Sequence, residues 1–320
     1  VAVDREWLVA KLSRALALRE KIYDAPYYRL VHAEADGLPG LVVDRFGDTL
    51  VVQPNAAWAE AMLDDLADAL ADVAGAGAIW KNASGRTRGL EGLDDVSRPL
   101  RGDVPDRVEV PMNGAVYCAD LRGGQKTGLF YDQRPNHAFT ARLAAGGAVL
   151  DVFSHVGGFA LAALAAGATR ALSVDGSAAA LDLARAGAAA TGVAERFDTR
   201  QGDAFDVLDA LGAEGARFET VICDPPAFAP AKQALEAGMR AYERVARKAA
   251  PLVASGGFLV LCSCSHAVDL KRFREASLRG VSKAGRACQI LHTGAAGPDH
   301  PVHPALAESA YLKAIFLRCS

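Results

Sequence analysis

The sequence has no apolar run approaching the ~18 residues that cross a bilayer, so no membrane span is expected. Its first residues, VAVDREWLVAKL, have neither a basic stretch nor an apolar core, so no secretory signal is visible. The chain opens on Val1 rather than Met, and residues upstream of it are expected. The six cysteines, Cys118, Cys223, Cys262, Cys264, Cys288 and Cys319, form no C-x-x-C pair and have no histidine at matching spacing. That argues against a disulfide framework and against a metal site, and for reduced thiols in a cytoplasmic protein. The chain also lacks an excess of either charge: 35 Lys and Arg stand against 38 Asp and Glu, a formal net charge of -3. Bulk electrostatics therefore does not announce a nucleic-acid partner, and such a site must be a local patch. One candidate patch is Lys271, Arg272, Arg274, Arg279, Lys283 and Arg286, with a solvated helix face as the plainer reading. No G-x-G-x-x-G loop and no internal repeat is present.

What is present is an ordinary globular composition, 51% hydrophobic and 23% charged, over 320 residues, a length that suggests about two domains. Helical spacing runs from Asp4 to Tyr23, and short extended runs follow at Tyr28–Ala33, Leu41–Arg45 and Thr49–Gln53, separated by glycine-bearing turns. A helix is expected over Trp58–Val73, with an acidic face of Glu60, Asp64, Asp65, Asp68 and Asp72 that should point away from RNA, and a strand over Ala78–Asn82. Residues 1–106 thus read as a small α+β domain whose last part, Ser84–Asp106, is an aperiodic connector. Residues 107–146 read as a β-hairpin around Asn113-Gly114 and a loop leading into the next domain.

From Gly147 to Ser320, strands and helices alternate, which implies a Rossmann-like, mostly parallel α/β sheet. Strands are expected at Ala148–Phe153, Ala171–Asp175, Phe197–Gln201, Thr220–Asp224 and Phe258–Ser263, then near Ala287–His292 and Tyr311–Leu317. Ligands of such sheets bind at the carboxyl ends of the strands. The first strand ends in Asp151, Phe153 and Ser154, before Gly157-Gly158 and an alanine-rich helix. Bare glycine backbone and free helix N–H groups suit a nucleotide-like ligand. Asp151 would repel a pyrophosphate and accept an ammonium group, which favours S-adenosylmethionine (SAM) over NAD. Asp175, at the second strand end, can accept from ribose hydroxyls. Asp203 can accept from the adenine amino group, with Ala204 leaving room for the ring. A solvated strand end or helix cap is the plainer reading for any one of these acids taken alone. The fourth strand ends in Asp224-Pro225-Pro226-Ala227-Phe228, where two prolines fix the chain rigidly and present Asp224 to the cleft. The fifth ends in Cys262-Ser263-Cys264-Ser265-His266. Cys264 lies nearer the end, where it is either a thiolate nucleophile or a small buried hydrophobe.

These segments, with Glu34–Gly47, Gln125-Lys126-Thr127-Gly128, Asp132-Gln133-Arg134 and Asp299-His300-Pro301, resemble the bacterial class I SAM-dependent methyltransferases of large-subunit ribosomal RNA that make 5-methylcytosine. The resemblance covers most of the chain. It implies an N-terminal PUA RNA-binding domain, after which this chain begins, then a central α/β domain and a Rossmann-like domain. It implies Cys264 as the nucleophile adding to C6 of cytosine and Asp224 as the partner of the N3 or N4 edge. It implies that Asp151, Phe153, Ser154, Gly157, Asp175, Asp203, Ala204, Asp224 and Pro225 hold SAM. Lys126, Gln133, Arg134, Pro226 and Phe228 would meet the substrate, with Gln133 and Arg134 closing over the methionine part or contacting RNA. The sequence departs from that pattern at Ala227, where relatives often carry Lys, at His155, where Tyr is common, and at His266, where Gly is familiar. Competing readings are N-methylation of a base or protein amide without a nucleophile, an NAD-dependent oxidoreductase, and a non-catalytic RNA-binding factor that keeps the SAM fold. The oligomeric state stays open, a homodimer included.

Overall fold

The computed structural model describes residues 3–123 and 128–320. They form two compact units. The first comprises Val1–Val110, Ala119–Tyr131 and Gly297–Ser309, the second Pro111–Cys118, Asp132–Ala296 and Ala310–Ser320.

In the first unit, helix α1 (Arg5–Ile22) is capped by Asp4, whose side chain accepts from the Trp7 N–H. A sheet follows, built from β1 (Tyr27–His32), β2 (Leu41–Phe46) and β3 (Thr49–Pro54). After helices α2 (Ala57–Ala61) and α3 (Leu63–Ala74), strand β4 (Ala78–Lys81) pairs parallel to β3. The single helix expected over Trp58–Val73 is thus two, broken at Met62, and no proline or glycine lies at the break. The expected connector is also corrected. It holds a short helix α4 (Arg86–Leu90) and strand β5 (Arg98–Arg101), which closes the five-stranded sheet in the order β1-β2-β3-β4-β5. β5 escapes pattern reading because it is a mostly exposed edge strand, so its side chains show no alternation. Leu8 and Leu12 of α1 and Leu66 and Leu70 of α3 fill the core against Leu30, Val43, Val52 and Ile79. The acidic face of α3 is partly neutralised, because Asp68 pairs with Arg101 and Asp72 with Arg5.

β6 (Arg107–Met112) and β7 (Ala115–Asp120) make the hairpin expected around Asn113-Gly114, where both turn residues have positive φ. The segment after it is not only loop: α5 (Arg134–Ala144) is an 11-residue helix. Its buried face is Asn136, His137, Thr140, Ala141 and Ala144, which is polar enough to hide the helical period.

The second unit then runs through β8 (Ala148–Val152), α6 (Gly158–Ala165), β9 (Arg170–Asp175), α7 (Ala178–Thr191), β10 (Phe197–Gln201), α8 (Ala204–Ala213) and β11 (Phe218–Cys223). It finishes with α9 (Leu235–Ala249), β12 (Val253–Ser263), α10 (Leu270–Lys283), β13 (Cys288–Gly294) and β14 (Lys313–Cys319). Each expected strand is present within a few residues of its expected bounds. Ser177 caps α7 by accepting from Ala180, and Gly192 ends it at φ 76°. The sheet order is β10-β9-β8-β11-β12-β14-β13, with β8 to β12 parallel and β14 antiparallel to both its neighbours. This is the α/β Rossmann-like sheet. The strand order reverses between β8 and β11, and the carboxyl ends of those two strands carry Asp151 and Asp224.

No helix among the described residues is long and apolar enough to cross a membrane. Most basic residues of the candidate patch on and just after α10 have partners. Arg279 and Lys283 share Glu243, Arg272 pairs with Asp269, Arg274 donates to Thr293, and Arg286 donates to backbone carbonyls. These are surface pairs, with the Arg272, Arg279 and Lys283 side chains still about half exposed.

Candidate functional site

β8 is buried along its whole length, so Asp151 within it is fully enclosed. One carboxylate oxygen accepts from the N–H of Ala160, in the first turn of α6, at 3.0 Å. The other, Oδ1, is buried with no hydrogen-bond partner. Burial, first among the causes, pushes this carboxyl up to about 8, and the neighbouring Asp224 and Asp175 push in the same direction. A buried acceptor without a donor is costly. A ligand bringing an ammonium group would both donate to Oδ1 and favour the ionised form.

The turn after β8 is held in an unusual backbone shape. Phe153 (φ 64°) and His155 (φ 49°) both lie in the left-handed region, at a cost of roughly 1–3 kcal/mol each. The Ser154 N–H donates to Val174 O, and the His155 N–H donates to Asp175 Oδ2 at 2.8 Å. Asp175 Oδ1 accepts from Ser177 N at 2.8 Å. Each Asp175 oxygen so keeps one lone pair for a further donor such as a ribose hydroxyl. The Ser154 hydroxyl is buried without a partner. Gly157 sits at φ 79°, and a Cβ on Gly158 would lie 2.6 Å from the His137 ring. That ring stacks edge-on against Phe159 at 4.4 Å, and burial pushes its pKa down to about 3. The Tyr117 hydroxyl donates to Gly158 O at 3.1 Å. His137 and Tyr117, neither of them singled out in the sequence, thus wall the glycine turn from behind.

Asp203 is exposed and caps α8, with Oδ1 accepting from Phe205 N at 2.9 Å and Asp206 N at 3.2 Å. The plainer reading of this acid therefore applies to at least one of its oxygens. Ala204 is buried behind it. Beyond, Arg244 lies over the Phe205 ring at 4.3 Å, and Phe228 packs against Phe205, Phe153 and Tyr242. Phe228 is so one member of an aromatic cluster rather than an isolated platform.

Asp224 leaves β11 half-buried, followed by buried Pro225 and exposed Pro226. Gln133 is itself buried; its Nε2 donates to Asp224 Oδ2 at 2.9 Å, and its Oε1 accepts from Asn136 at 2.6 Å. Gln133 therefore orients the carboxylate. Arg134 opens α5, and its charge reaches the buried Tyr117 and His137. Lys126 lies outside the described residues.

β12 ends at Ser263, and the two cysteines differ in access. Cys262 is 1% exposed and its thiol is pushed far up by burial, whereas Cys264 is half-buried with Sγ 4.0 Å from Pro225 O. Only Cys264 is placed to meet a ligand beside Asp224. The residues flanking it are tied down: Ser263 Oγ donates to Tyr242 Oη at 2.8 Å, and Tyr242 Oη and Ser265 Oγ lie 2.7 Å apart. Ser265 Oγ also accepts from Ala229 N at 3.0 Å, tying this turn to the Pro225-Pro226 loop. Lys313, 7% exposed, donates to Ser265 O at 2.7 Å. In the sequence it is one lysine opening an otherwise apolar strand, Ala314–Leu317, with nothing local to name its partner. His266 is exposed, with its ring against Tyr311. Among the described residues no group of three or more His, Cys, Asp or Glu is arranged to hold a metal ion.

The model of a family described as S-adenosylmethionine-dependent methyltransferase matches residues 33–318. The chain is 34% identical over 322 residues to the ribosomal RNA large subunit methyltransferase I of Shewanella amazonensis, covering 99% of this chain and 81% of that protein. It is 37% identical over 329 residues to the ribosomal RNA large subunit methyltransferase of Deinococcus radiodurans, covering 99% and 80%. Among solved structures, a SAM-dependent methyltransferase from Streptococcus mutans superposes with a TM-score of 0.86 at 21% identity, over 99% of this chain and 82% of that one. A methyltransferase solved with S-adenosylhomocysteine superposes at 0.87, with the same identity and coverage. At that identity the likeness speaks for the fold.

Proposed function

The chain belongs to the SAM-dependent methyltransferase family, and from that premise we propose that it methylates carbon 5 of a cytosine in large-subunit ribosomal RNA through a covalent Cys264 adduct. The substrate class follows the names of its relatives. The observation that carries the chemistry is the half-buried Cys264 at the end of β12, 4.0 Å from the carbonyl of Pro225, the residue after Asp224.

The residues suit the cofactor. SAM supplies an electrophilic methyl group and carries the ammonium that the unpartnered Asp151 Oδ1 lacks. Asp175 keeps lone pairs for a ribose, and the small Ala204 side chain would leave room for the adenine. Carbon 5 of cytosine is a poor nucleophile. Addition of the Cys264 thiolate to C6 makes C5 enamine-like and able to take the methyl group. Asp224, held by Gln133, hydrogen-bonds the N3 or N4 edge and steadies the adduct. Loss of the C5 proton to a base then lets the C6–S bond break, which returns the thiolate. Residues 147–320 would carry this chemistry, in the cytoplasm where ribosomes are assembled.

The test is a denaturant-stable complex between the chain and large-subunit ribosomal RNA containing 5-fluorocytidine, formed with SAM and lost in Cys264→Ser. Methyl transfer to unsubstituted RNA with no such complex would sink the nucleophile reading. It would leave N-methylation at the Asp224-Pro225-Pro226 turn. Bisulfite sequencing of the RNA product identifies the cytosine.

A further inference from the structure

We propose that Lys313 supplies the positive charge that keeps Cys264 a thiolate, acting as a positioning residue behind the nucleophile; the inference rests on the nucleophilic role of Cys264 proposed above. Position 227, in the Asp224-Pro225-Pro226 turn beside Cys264, is Ala and supplies no charge. Asp224 precedes the Pro225 whose carbonyl contacts Sγ, and a carboxylate on that side does not favour a thiolate. A cation from another element does.

β14 provides one. Its Ala314, Ile315, Phe316 and Leu317 are all fully buried, and Lys313 opens this apolar strand at 7% exposure. In the antiparallel pairing of β12 with β14, Lys313 stands opposite Ser263. Its ammonium then reaches forward to the carbonyl of Ser265. The backbone of Lys313 therefore registers with the residue before Cys264, and its charge is fixed on the residue after it. No carboxylate lies within ion-pair distance of this ammonium among the described residues. A buried ammonium without a counter-ion is costly unless an anion forms beside it. Its ionisation answers to this setting: burial lowers its pKa to about 8, while Cys264 and, less strongly, Asp269 at the cap of α10 act to raise it. The other titratable groups here do not serve. Tyr242 on α9 is neutral, its phenol pushed up by burial and engaged with Ser263 and Ser265, and His266 is exposed with its ring turned to Tyr311. The Ser263–Tyr242–Ser265 frame holds the two neighbours of Cys264 in place, so a thiolate formed there stays within electrostatic reach of the ammonium fixed on Ser265 O.

The test uses the full chain and no RNA. The rate of Cys264 alkylation by iodoacetamide is followed against pH, read by mass spectrometry of the Cys264 peptide. The unmutated chain is expected to titrate below the ordinary thiol value of about 8.5. Lys313→Met is expected to raise the midpoint by about one unit, slowing alkylation at neutral pH roughly tenfold, and Lys313→Arg to restore most of it. A SAM-dependent melting shift establishes that each variant is folded. Equal midpoints in the unmutated and Lys313→Met chains would overturn the proposal, and so would a midpoint at or above 8.5 in the unmutated chain, whatever the variants do. A shifted midpoint together with no 5-fluorocytidine complex in the unmutated chain would keep the Lys313–Cys264 coupling and remove the nucleophile reading instead.

Discussion

The two units bury charge in opposite ways. In the first, every buried charged side chain among the described residues is matched. Arg19, fully enclosed, grips both oxygens of Asp36 and donates to Arg29 O and Asp299 O. Arg29 grips both oxygens of Asp44, while Asp299 accepts from Arg29 N and contacts His300. Lys81 and Arg88 share Glu60 and Asp94. In the second unit, the enclosed Asp151 leaves an oxygen unpartnered, and the enclosed Lys313 has a carbonyl in place of a carboxylate. A matched network needs nothing further and specifies a fold. An unmatched charge suits a group still to arrive, as proposed for Asp151, whereas Asp36, Asp44 and Asp299 of the Glu34–Gly47 and Asp299-His300 motifs are tied into the fold.

The largest expected effect breaks the matched side. Arg19→Met should destabilise the first unit by about 3–5 kcal/mol, because it strands Asp36 inside the protein. Urea denaturation, followed with α1 Trp7 as the probe, reads it. A loss under about 1 kcal/mol would mean that the network is incidental. The unmatched side should respond in the reverse sense. Asp151→Asn should weaken SAM binding by about 3 kcal/mol, roughly 100-fold, by calorimetry, and yet leave the ligand-free chain more stable at neutral pH. A variant that loses stability and keeps SAM affinity would assign Asp151 to the fold.

The same comparison can be sharpened with pH. The Asp151 carboxyl titrates at about 8 when folded, against an ordinary value of about 3.9 when unfolded. Between those values the folded state holds more protons, so stability falls as pH rises through the window. The ligand-free chain should lose about 3–4 kcal/mol relative to Asp151→Asn between roughly pH 5 and pH 8. Saturating SAM should flatten the difference. A pH-independent gap between the two chains would mean that Asp151 stays ionised when buried.

How much of this was legible depended on the range of the interaction. The strands of the parallel sheet are short apolar runs with acids or prolines at their ends, and they could be read from one window each. Asp151, Asp175, Asp224 and Cys264 were singled out as candidates the same way, since a strand-end position is a local property. α5 was hidden because its inward face uses Asn136 and His137, which bind Gln133, Ala295 O and the glycine turn instead of filling an apolar core. Lys313 was hidden for a different reason. Its meaning comes from registering opposite Ser263, 50 residues earlier in the chain, and no local pattern encodes that pairing.

Asp203 is where the two kinds of buried and bound acid meet, and its expected effect is the smallest. Its Oδ1 does the work of a helix cap, as any solvated strand-end acid would. Serine caps a helix nearly as well, so Asp203→Ser should leave stability within about 0.5 kcal/mol, whereas Asp203→Ala should cost about 1 kcal/mol. If the second oxygen also receives the adenine amino group, the serine variant should still bind SAM about tenfold more weakly, the order expected for one lost hydrogen bond to a charged acceptor. Calorimetry on the two variants therefore separates the roles. Equal SAM affinity in the unmutated and serine chains would make Asp203 a cap and nothing more, and the adenine would then be held by the Ala204–Phe205 side alone.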